Sequence, residues 1–321
     1  MNEYLAHIEK ELSQYDFGLR PAELYDPIRY VLALGGKRIR PVLTLMASEL
    51  FCGDFRQAVY PALAVEVFHN FTLLHDDIMD KAPLRRGQAT VHEKWNDNIA
   101  ILSGDVMLIR AYELFLKSDH PELKLILRKF NECAAEVCEG QQLDMNYETM
   151  TSVSEDEYIE MIRLKTAVLL AFSLELGAIL GSATQENREK LYEFGINIGL
   201  GFQLKDDLLD VYGEADKFGK QVGGDIISNK KTYLLIKARE QAKGENLVEL
   251  EYWLYQKTFD PTEKVKAVKA IYEKLGIREL GEQKMNRYFD RAINTLDELD
   301  IVKERKQPIL TLTRSLIDRE K

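Results

Sequence analysis

Cysteine, proline and excess positive charge are all scarce in this sequence. Its 321 residues include three cysteines, Cys52, Cys133 and Cys138, an odd number with no pair at metal-ligand spacing. We therefore predict free thiols in a reducing compartment, and a cytoplasmic location. The formal net charge of -10 argues against broad binding of nucleic acids, because that function requires a basic surface.

No segment has the pattern of a targeting signal or a membrane span. The first residues, "MNEYLAHIEKELSQYD", are polar and acidic, so we expect neither a signal peptide nor a transit peptide. Residues 166–183 have the length of a membrane helix, but Glu175 stands in the middle and Lys165 precedes it. Since a lone glutamate is costly in lipid, we predict a helix buried in a protein core.

The eight prolines leave room for long helices, and alternating strand patterns are scarce. Segments 56–80, 155–180 and 188–213 carry apolar residues at helical spacing, which is typical of central helices. No Pro/Gly/Ser-rich linker and no change in composition marks a domain boundary. We predict an all-α fold, a single large helical bundle that forms one domain over residues 1–321.

Two acidic clusters stand at the ends of central apolar segments. They share the pattern D-D-x-x-D and comprise Asp76, Asp77, Asp80, Asp206, Asp207 and Asp210. On a helix the first and last aspartates of each cluster share a face, where like charges repel, and the dipole disfavours anions at this end. Closely spaced carboxylates suit Mg²⁺, which also takes water and substrate phosphates as ligands. The pattern predicts a multi-metal site for a diphosphate, and the alternative is a solvated acidic helix end.

Basic residues flank the first acidic cluster in an otherwise acidic chain. Lys37 and Arg40 lie in "GGKRIRP", Arg85 and Arg86 lie in "LRRG", and His69 lies two helical turns before the cluster. Arginine forks and lysine charges both bind phosphate oxygens. Together these residues predict a second anionic group that is bound without metal. Singly, each is equally explained by a surface charge or, for the histidine, by a core position with satisfied hydrogen bonds.

Two further segments are weak signals by themselves. Lys165 and Thr166 open an apolar segment, and "GKQVGGDIISNKKT" places Lys220, Asp225 and Lys230 in a glycine-rich loop. Glycines let a backbone approach an anion, but the order of residues differs from that of a P-loop. Alone, neither segment assigns a function.

Six blocks of the sequence, in this order, resemble the trans-isoprenyl diphosphate synthases, the polyprenyl synthetase family. They are "GGKRIRP", "HDDIMD" with "LRRG", "GQQLD", "KTA", "GFQLKDDLLD" and "GKQVGGDIISNKKT". The resemblance implies an isoprenoid synthase bundle around a central apolar cavity, usually a homodimer. It implies a prenyltransferase that uses Mg²⁺ to condense isopentenyl diphosphate with an allylic prenyl diphosphate. The short first motif resembles that of geranylgeranyl-type members, so the expected product is farnesyl or geranylgeranyl diphosphate.

The resemblance also implies roles for individual residues. All six aspartates are expected to be catalytic, and three Mg²⁺ ions are expected with substrate bound, with Asp76, Asp80 and Asp206 among their ligands. The allylic diphosphate is expected to contact Arg85, Lys165, Lys220 and Lys230, with Thr166 and Gln203 facing the reacting carbons. Isopentenyl diphosphate is expected to contact Lys37, Arg40, His69 and Arg86.

Product length is expected to depend on Phe71 and Thr72. They precede Asp76 by five and four residues, which is roughly 6 to 8 Å along a helix that rises 1.5 Å per residue. A growing hydrocarbon chain would extend into this region. The resemblance implies that a bulky residue here limits the product, and ordinary core packing of Phe71 is the alternative.

Other enzyme classes remain open at this point. A class I terpene cyclase would share the first motif but usually carries N-x-x-x-[ST]-x-x-x-E as its second. A head-to-head synthase would have two D-x-x-x-D motifs and no "GGKRIRP". A non-catalytic synthase subunit would be expected to have lost one cluster, and a synthase of longer polyprenyl chains is a further alternative.

Overall fold

The computed structural model describes residues 2–213 and 223–318, most of which are helical. The first helices are α1 (Asn2–Gln14), α2 (Ala22–Ala33), α3 (Ile39–Cys52), α4 (Val59–Met79), α5 (Val91–Lys94), α6 (Asp97–Leu116) and α7 (Leu123–Thr149). A 3₁₀ turn spans Arg56–Ala58, and strands β1 (Leu84–Arg85) and β2 (Gln88–Ala89) pair in an antiparallel hairpin.

The rest of the described chain is also helical. Its helices are α8 (Glu155–Ile162), α9 (Val168–Leu180), α10 (Gln185–Tyr212), α11 (Gly224–Ile227), α12 (Tyr233–Gln241), α13 (Glu245–Tyr255), α14 (Pro261–Lys274), α15 (Ile277–Asp297) and α16 (Lys303–Ile317). A capping box at Ser154 and Glu157 starts α8, because each side chain bonds the other residue's backbone N–H. The predicted all-α class is confirmed.

The chain folds into two compact units, each assembled from separate stretches of sequence. The first unit comprises the residues up to Cys133, Leu169–Tyr192 and Leu299–Leu312. The second comprises Ala134–Val168, Glu193–Glu298 and the residues from Thr313. The single domain expected over residues 1–321 stays a prediction.

Helix α4 lies at the centre of the first unit, where it packs against α3 and α6. Its residues are buried nearly all round over its first three turns, as the apolar pattern predicted. An aromatic cluster of Phe68, Phe115, Phe130 and Phe172 is almost fully buried, and its ring centroids lie 4.8–6.3 Å apart. This core fixes the helix whose last turn carries the first acidic cluster.

In the second unit, α11 to α15 pack on one another, and α15 approaches the second half of α10 closely. Helix α15 packs against α12 and α14, and α14 also packs against α11 and α13. A Cβ at Gly281 of α15 would lie 3.0 Å from both Leu208 and Leu234, so these helices approach closely. The packing holds α10, which carries the second acidic cluster.

The helix expected over residues 155–180 is interrupted. Residues Arg163–Ala167 form a π-helical turn between α8 and α9, so Lys165 and Thr166 do not open an α-helix as predicted. A π-turn inserts an extra residue into the helical repeat and is frequently found at functional sites. It changes the direction of the two side chains relative to a regular helix.

Neither a disulfide bond nor a membrane-spanning helix is present in residues 2–213 and 223–318. Cys52, Cys133 and Cys138 carry thiols rather than disulfide bonds, and Cys133 is buried. No helix there combines the length and the apolar character needed to cross a bilayer. Glu175 is buried in α9 and lies 3.1 Å from the Lys129 ammonium, so the segment is a core helix with a paired charge, as predicted.

Candidate active site

The aspartates of the first acidic cluster differ in how deeply the helix buries them. Asp76 is half-buried and Asp80 is exposed, whereas Asp77 is only 3% exposed. The single N–H at Nε of Arg85 donates a bifurcated hydrogen bond to the two oxygens of the Asp77 carboxylate, at 2.8 and 2.9 Å. Burial raises the pKa of Asp77, and the bonds to Arg85 oppose that shift. Asp77 therefore orients Arg85, while Asp76 and Asp80 remain nearer the surface.

A two-residue hairpin turn places the arginine pair. Arg86 and Gly87 form the turn between β1 and β2, with φ of 53° and 76°. Positive φ at both central residues is typical of the two-residue hairpin turns whose backbone twist matches that of the flanking strands. Arg85 points back to the acidic cluster, and its Nη2 also lies 3.5 Å from Asp76. The guanidinium of Arg86 lies within 2.9 Å of where a Cβ at Gly36 would stand, so the hairpin meets the "GGKRIRP" segment.

Within that segment, Arg40 reaches the predicted histidine. Nη1 of Arg40 donates to Nε2 of His69 at 3.1 Å, which requires an unprotonated Nε2. Burial, with the positive charges of Arg40 and Arg86, holds the pKa of His69 well below its usual range. The structure thus brings two cationic side chains, Arg40 and Arg86, together around the neutral His69, and Lys37 is exposed at the same turn.

The depressed pKa of His69 predicts how stability changes with pH. The unfolded chain binds a proton at this histidine below about pH 6.5, whereas the folded chain does not, so stability falls as pH drops below that value. We expect the wild type to lose more unfolding free energy between pH 7 and 5 than the His69→Gln variant. Urea unfolding at both pH values measures this difference, and equal losses would contradict the assignment.

Arg38, to which the sequence assigned no role, is a buried structural residue. Its backbone is left-handed, with φ of 47°, and its side chain is 1% exposed. Nη1 donates to Glu66 at 2.7 Å, Nε to Glu9 at 2.8 Å and Nη2 to the Leu32 carbonyl at 2.6 Å. Arg38 therefore joins α1, α2 and α4 beneath Lys37 and Arg40.

The second acidic cluster repeats the pattern of the first. Asp206 and Asp210 are half-buried, and Asp207 is 4% exposed. The Asp207 carboxylate accepts hydrogen bonds from the Tyr158 hydroxyl and from Nε2 of Gln203. Burial, followed by the negative charge of Asp225, raises the pKa of Asp207 to about 8, while both hydrogen bonds oppose the shift. In each cluster the middle aspartate is held inside the protein.

The glycine-rich segment folds onto the end of α10. The backbone N–H of Asp225 donates to the Asp210 carboxylate at 3.0 Å, and that of Gly223 donates to the Asp210 carbonyl at 2.7 Å. Lys220 lies outside the described residues. The structure therefore brings the last aspartate of the second cluster next to the segment that carries Lys230.

Asp144, which was not singled out in "GQQLD", links two predicted phosphate-binding lysines. Its carboxylate lies 2.7 Å from Nζ of Lys165 and 3.4 Å from Nζ of Lys230. Burial alone would raise the pKa of Asp144, but the charges of Lys230 and Lys165 outweigh it and lower the pKa. The shared carboxylate holds both ammonium groups together on one side of the second unit.

Thr166 and Gln203 form a hydrogen-bonded pair above Asp207. The Thr166 hydroxyl donates to Oε1 of Gln203 at 3.2 Å, and Nε2 of Gln203 donates to Asp207 at 3.2 Å. These two hydrogen bonds use the hydroxyl proton of Thr166 and one amide proton of Gln203. The remaining lone pairs of the two oxygens are therefore available to a positively charged group.

Phe71 rests on the aromatic core of the first unit. Its ring lies 5.6 Å from that of Phe68 and 4.7 Å from that of His75, and its side chain is half-buried. The Thr72 hydroxyl donates to the His69 carbonyl at 2.8 Å, so it is used within its own helix. Phe71 is thus the larger and more firmly supported of the two predicted chain-length residues.

The acidic clusters suit a metal that takes few protein ligands. No group of three acidic, histidine or cysteine side chains among the described residues is close enough to form a complete metal site. The carboxylates of Asp76, Asp80 and Asp206 are hard oxygen donors that retain access to solvent. Mg²⁺ commonly binds through one or two carboxylates and takes water and phosphate oxygens as its other ligands, so this donor set fits Mg²⁺.

Comparison with known proteins agrees with the motifs. The polyprenyl synthetase family profile matches residues 21–275. A geranylgeranyl pyrophosphate synthase of Geoglobus acetivorans is 37% identical over 302 residues, 94% of this chain and 92% of that protein. A (2E,6E)-farnesyl diphosphate synthase of Mycobacterium tuberculosis is 36% identical over 288 residues, 89% of this chain and 80% of that protein.

A crystal structure of a geranylgeranyl pyrophosphate synthase superposes with a TM-score of 0.93 at 43% sequence identity. The match covers 100% of this chain and 98% of that one. The similarity to this synthase therefore covers the entire fold as well as the separate sequence motifs. The chain belongs to the polyprenyl synthetase family.

Proposed function

We propose that this chain is a trans-prenyltransferase that condenses isopentenyl diphosphate head-to-tail with an allylic prenyl diphosphate. The proposed product is a short-chain all-trans prenyl diphosphate, farnesyl or geranylgeranyl, and inorganic diphosphate is released. The predicted class of enzyme is confirmed by relatives that are named farnesyl and geranylgeranyl diphosphate synthases. The homodimer and the cytoplasmic location stay predictions.

The repeated acidic cluster is the observation that carries this proposal. In both clusters the middle aspartate is buried and hydrogen-bonded, whereas the first and last are more accessible. A solvated acidic helix end would not bury and bond one carboxylate in each copy, because burial of an acid is costly. The arrangement supports a pair of metal-binding motifs that are oriented from within the protein.

Cationic side chains support the binding of two diphosphates. We assign the allylic diphosphate to Arg85, Lys165, Lys220 and Lys230, and isopentenyl diphosphate to Lys37, Arg40, His69 and Arg86. The bond from Arg40 to the neutral His69 fixes the direction of the guanidinium without adding charge. The shared Asp144 holds the ammonium groups of Lys165 and Lys230 near each other, which favours binding of one polyanion by both.

The proposed reaction breaks the allylic C–O bond before it forms the new C–C bond. When bound at Asp76, Asp80 and Asp206, Mg²⁺ would neutralise charge on the departing diphosphate. Arg85, Lys165 and Lys230 stabilise the same negative charge, and the oxygens of Thr166 and Gln203 stabilise the allylic cation. The isopentenyl double bond attacks that cation, and a proton then leaves to the released diphosphate. An apolar cavity would keep water from the cation.

Identification of products formed from separate primers tests the proposed function. The chain is incubated with Mg²⁺ and isopentenyl diphosphate together with dimethylallyl, geranyl or farnesyl diphosphate, and products are identified by mass spectrometry. We expect condensation with at least one primer and products that end at farnesyl or geranylgeranyl diphosphate. Absence of condensation with every primer would refute the proposal.

The same assay separates the alternatives. A terpene cyclase would consume an allylic diphosphate without isopentenyl diphosphate, and a head-to-head synthase would join two allylic substrates. A longer-chain synthase would continue beyond the geranylgeranyl product, and a non-catalytic subunit would give no product.

Shortening Phe71 is expected to lengthen the product. The Phe71→Ala change removes the ring that rests on Phe68 and opens space along α4 for further isoprene units. We expect mass spectrometry to show products longer than those of the wild type by at least one unit. Phe55→Ala is the control, because Phe55 packs on Tyr4 and His7, and an unchanged product from Phe71→Ala would contradict the assignment.

A further inference from the structure

Lys264 of α14 is a completely buried lysine, with 0% of its surface exposed. Its ammonium donates to the Ile227 carbonyl at 3.1 Å and to Oδ1 of Asn229 at 2.7 Å, and lies 4.2 Å from the centre of the Phe259 ring. No carboxylate in the described part of the chain forms an ion pair with it. A charge buried against neutral oxygens is costly, so its position calls for a specific role.

The two oxygens that Lys264 binds belong to one turn. Ile227 is the last residue of α11, where carbonyls lack helical partners. Asn229 has a left-handed backbone with φ of 56°, and its Nδ2 donates to the Leu254 carbonyl at 3.0 Å. Lys264 therefore fixes both the end of the helix and the residue that reverses the chain after it.

Groups assigned to the allylic diphosphate depend on the geometry of this turn. Lys230 follows Asn229 directly, its N–H donates to the Asp225 carbonyl at 2.9 Å, and its Nζ lies 3.4 Å from Asp144. Asp225 in turn donates its N–H to the Asp210 carboxylate at 3.0 Å. A shift of the turn would move the Lys230 ammonium and loosen the support of the Asp210 carboxylate.

A second contact from α14 ties down the start of the same segment. Gly223 has a φ of 87°, and a Cβ there would lie 2.6 Å from the Val265 side chain, so only glycine fits against α14 at this point. Lys264 and Val265, adjacent on α14, thus hold the two ends of the segment from residue 223 to residue 229.

We propose that Lys264 is a positioning residue for the allylic diphosphate subsite, because its buried ammonium sets the turn that presents Lys230 and supports Asp210. Lys264 does not touch substrate in this scheme. The inference rests on the proposed function, because it concerns the binding of one of the two substrates of that reaction.

The Lys264→Met variant tests the proposal, because methionine keeps the length and apolar stem of the side chain and removes its three donors. We expect the KM for the allylic diphosphate to rise about tenfold, which is less than the roughly 10²-fold effect that a 1 Å misplacement can have. The KM for isopentenyl diphosphate is expected to remain near the wild-type value. Asn229→Gly, which keeps the left-handed backbone and removes the acceptor, is expected to act in the same direction.

Lys306→Met is the matched control. Lys306 is buried in the first unit and donates to the Leu299 carbonyl at 2.7 Å, so its loss should lower stability without a selective change in allylic KM. If Lys264→Met and Asn229→Gly lower the melting temperature but leave both KM values unchanged, Lys264 is only structural and the proposal is overturned.

A binding measurement separates this proposal from the proposed function. Wild-type protein that fails to condense any primer refutes the proposed function. Calorimetric titration with inorganic diphosphate and Mg²⁺ tests Lys264 without turnover. Weaker binding by Lys264→Met than by Lys306→Met supports the positioning role, and equal binding by the two variants contradicts it.

Discussion

Replacement of Asp76 or Asp206 by alanine is expected to slow condensation by about 10³-fold or more, the scale of losing a main electrostatic group for developing charge. Each change removes a carboxylate that we assign to Mg²⁺. Steady-state kinetics at saturating substrate and Mg²⁺ measure the loss. A variant that keeps more than about a tenth of the wild-type rate would contradict the assignment, since a tenfold loss is only about 1.4 kcal/mol of barrier.

The same substitutions are expected to leave the fold intact. Asp76 and Asp80 are like charges one turn apart, and such pairs destabilise a helix by a few tenths of a kcal/mol. Their place at the end of α4 is also unfavourable for anions. Thermal unfolding should therefore show variants at least about as stable as the wild type, which separates loss of chemistry from loss of structure. Asp290→Ala, at an exposed position of α15, is the control and should keep full activity.

Replacement of Arg38 by methionine is expected to cost about 3–5 kcal/mol of unfolding free energy, the usual cost of stranding one partner of a buried ion pair. The change leaves Glu66, whose side chain is 3% exposed, without its arginine, and leaves the Leu32 carbonyl without that donor. Urea unfolding of the variant measures the loss. A loss below about 1 kcal/mol would show that the pair behaves like an exposed one.

Two further variants give this prediction its controls. Arg56 pairs with Asp54 at 2.7 Å, but its side chain is 80% exposed, so Arg56→Met should destabilise the protein far less than Arg38→Met does. Combining Arg38→Met with Glu66→Gln removes the stranded charge, and the double variant should be more stable than Arg38→Met alone. Equal stability would mean that the charge on Glu66 contributes little.

Helical periodicity made the central helices predictable, but not the burial of the middle aspartate in each cluster. The apolar run 56–80 became α4, Val59–Met79, because burial on almost every face requires a central position. The rule that residues four positions apart share a face placed Asp76 and Asp80 together, but it gave no sign that Asp77 would be buried. The repeat at Asp206 to Asp210 follows from the same geometry.

Local backbone departures were not predictable, because they depend on tertiary contacts. In "GGKRIRP" the sequence pointed to Lys37 and Arg40 as diphosphate-binding residues and assigned no role to Arg38. The left-handed backbone at Arg38 directs that side chain toward Glu66, although β-carbon sterics disfavour this conformation. The π-turn at Arg163–Ala167 is likewise invisible to helical periodicity, which reads residues 155–180 as one helix.

Contacts between distant segments were also missed. Asp144 meets Lys165 and Lys230 only because α7, the π-turn and the segment after α11 come together in the second unit. The segment "GQQLD" resembled a block of the family, which drew attention to this region. The neighbouring residues in the sequence gave no indication that its aspartate, Asp144, would contact two lysines. Tyr158 is a similar case, because its bond to Asp207 joins residues far apart in sequence.

Binding of Mn²⁺, as a spectroscopic substitute for Mg²⁺, tests most directly whether both acidic clusters hold metal for one diphosphate. Mn²⁺ bound in the presence of a non-reactive allylic diphosphate analogue is counted by electron paramagnetic resonance for the wild type, Asp76→Ala and Asp206→Ala. We expect the wild type to bind metal and analogue together, and each variant to bind fewer ions and to bind the analogue more weakly. Unchanged metal stoichiometry and analogue affinity in either variant would contradict it.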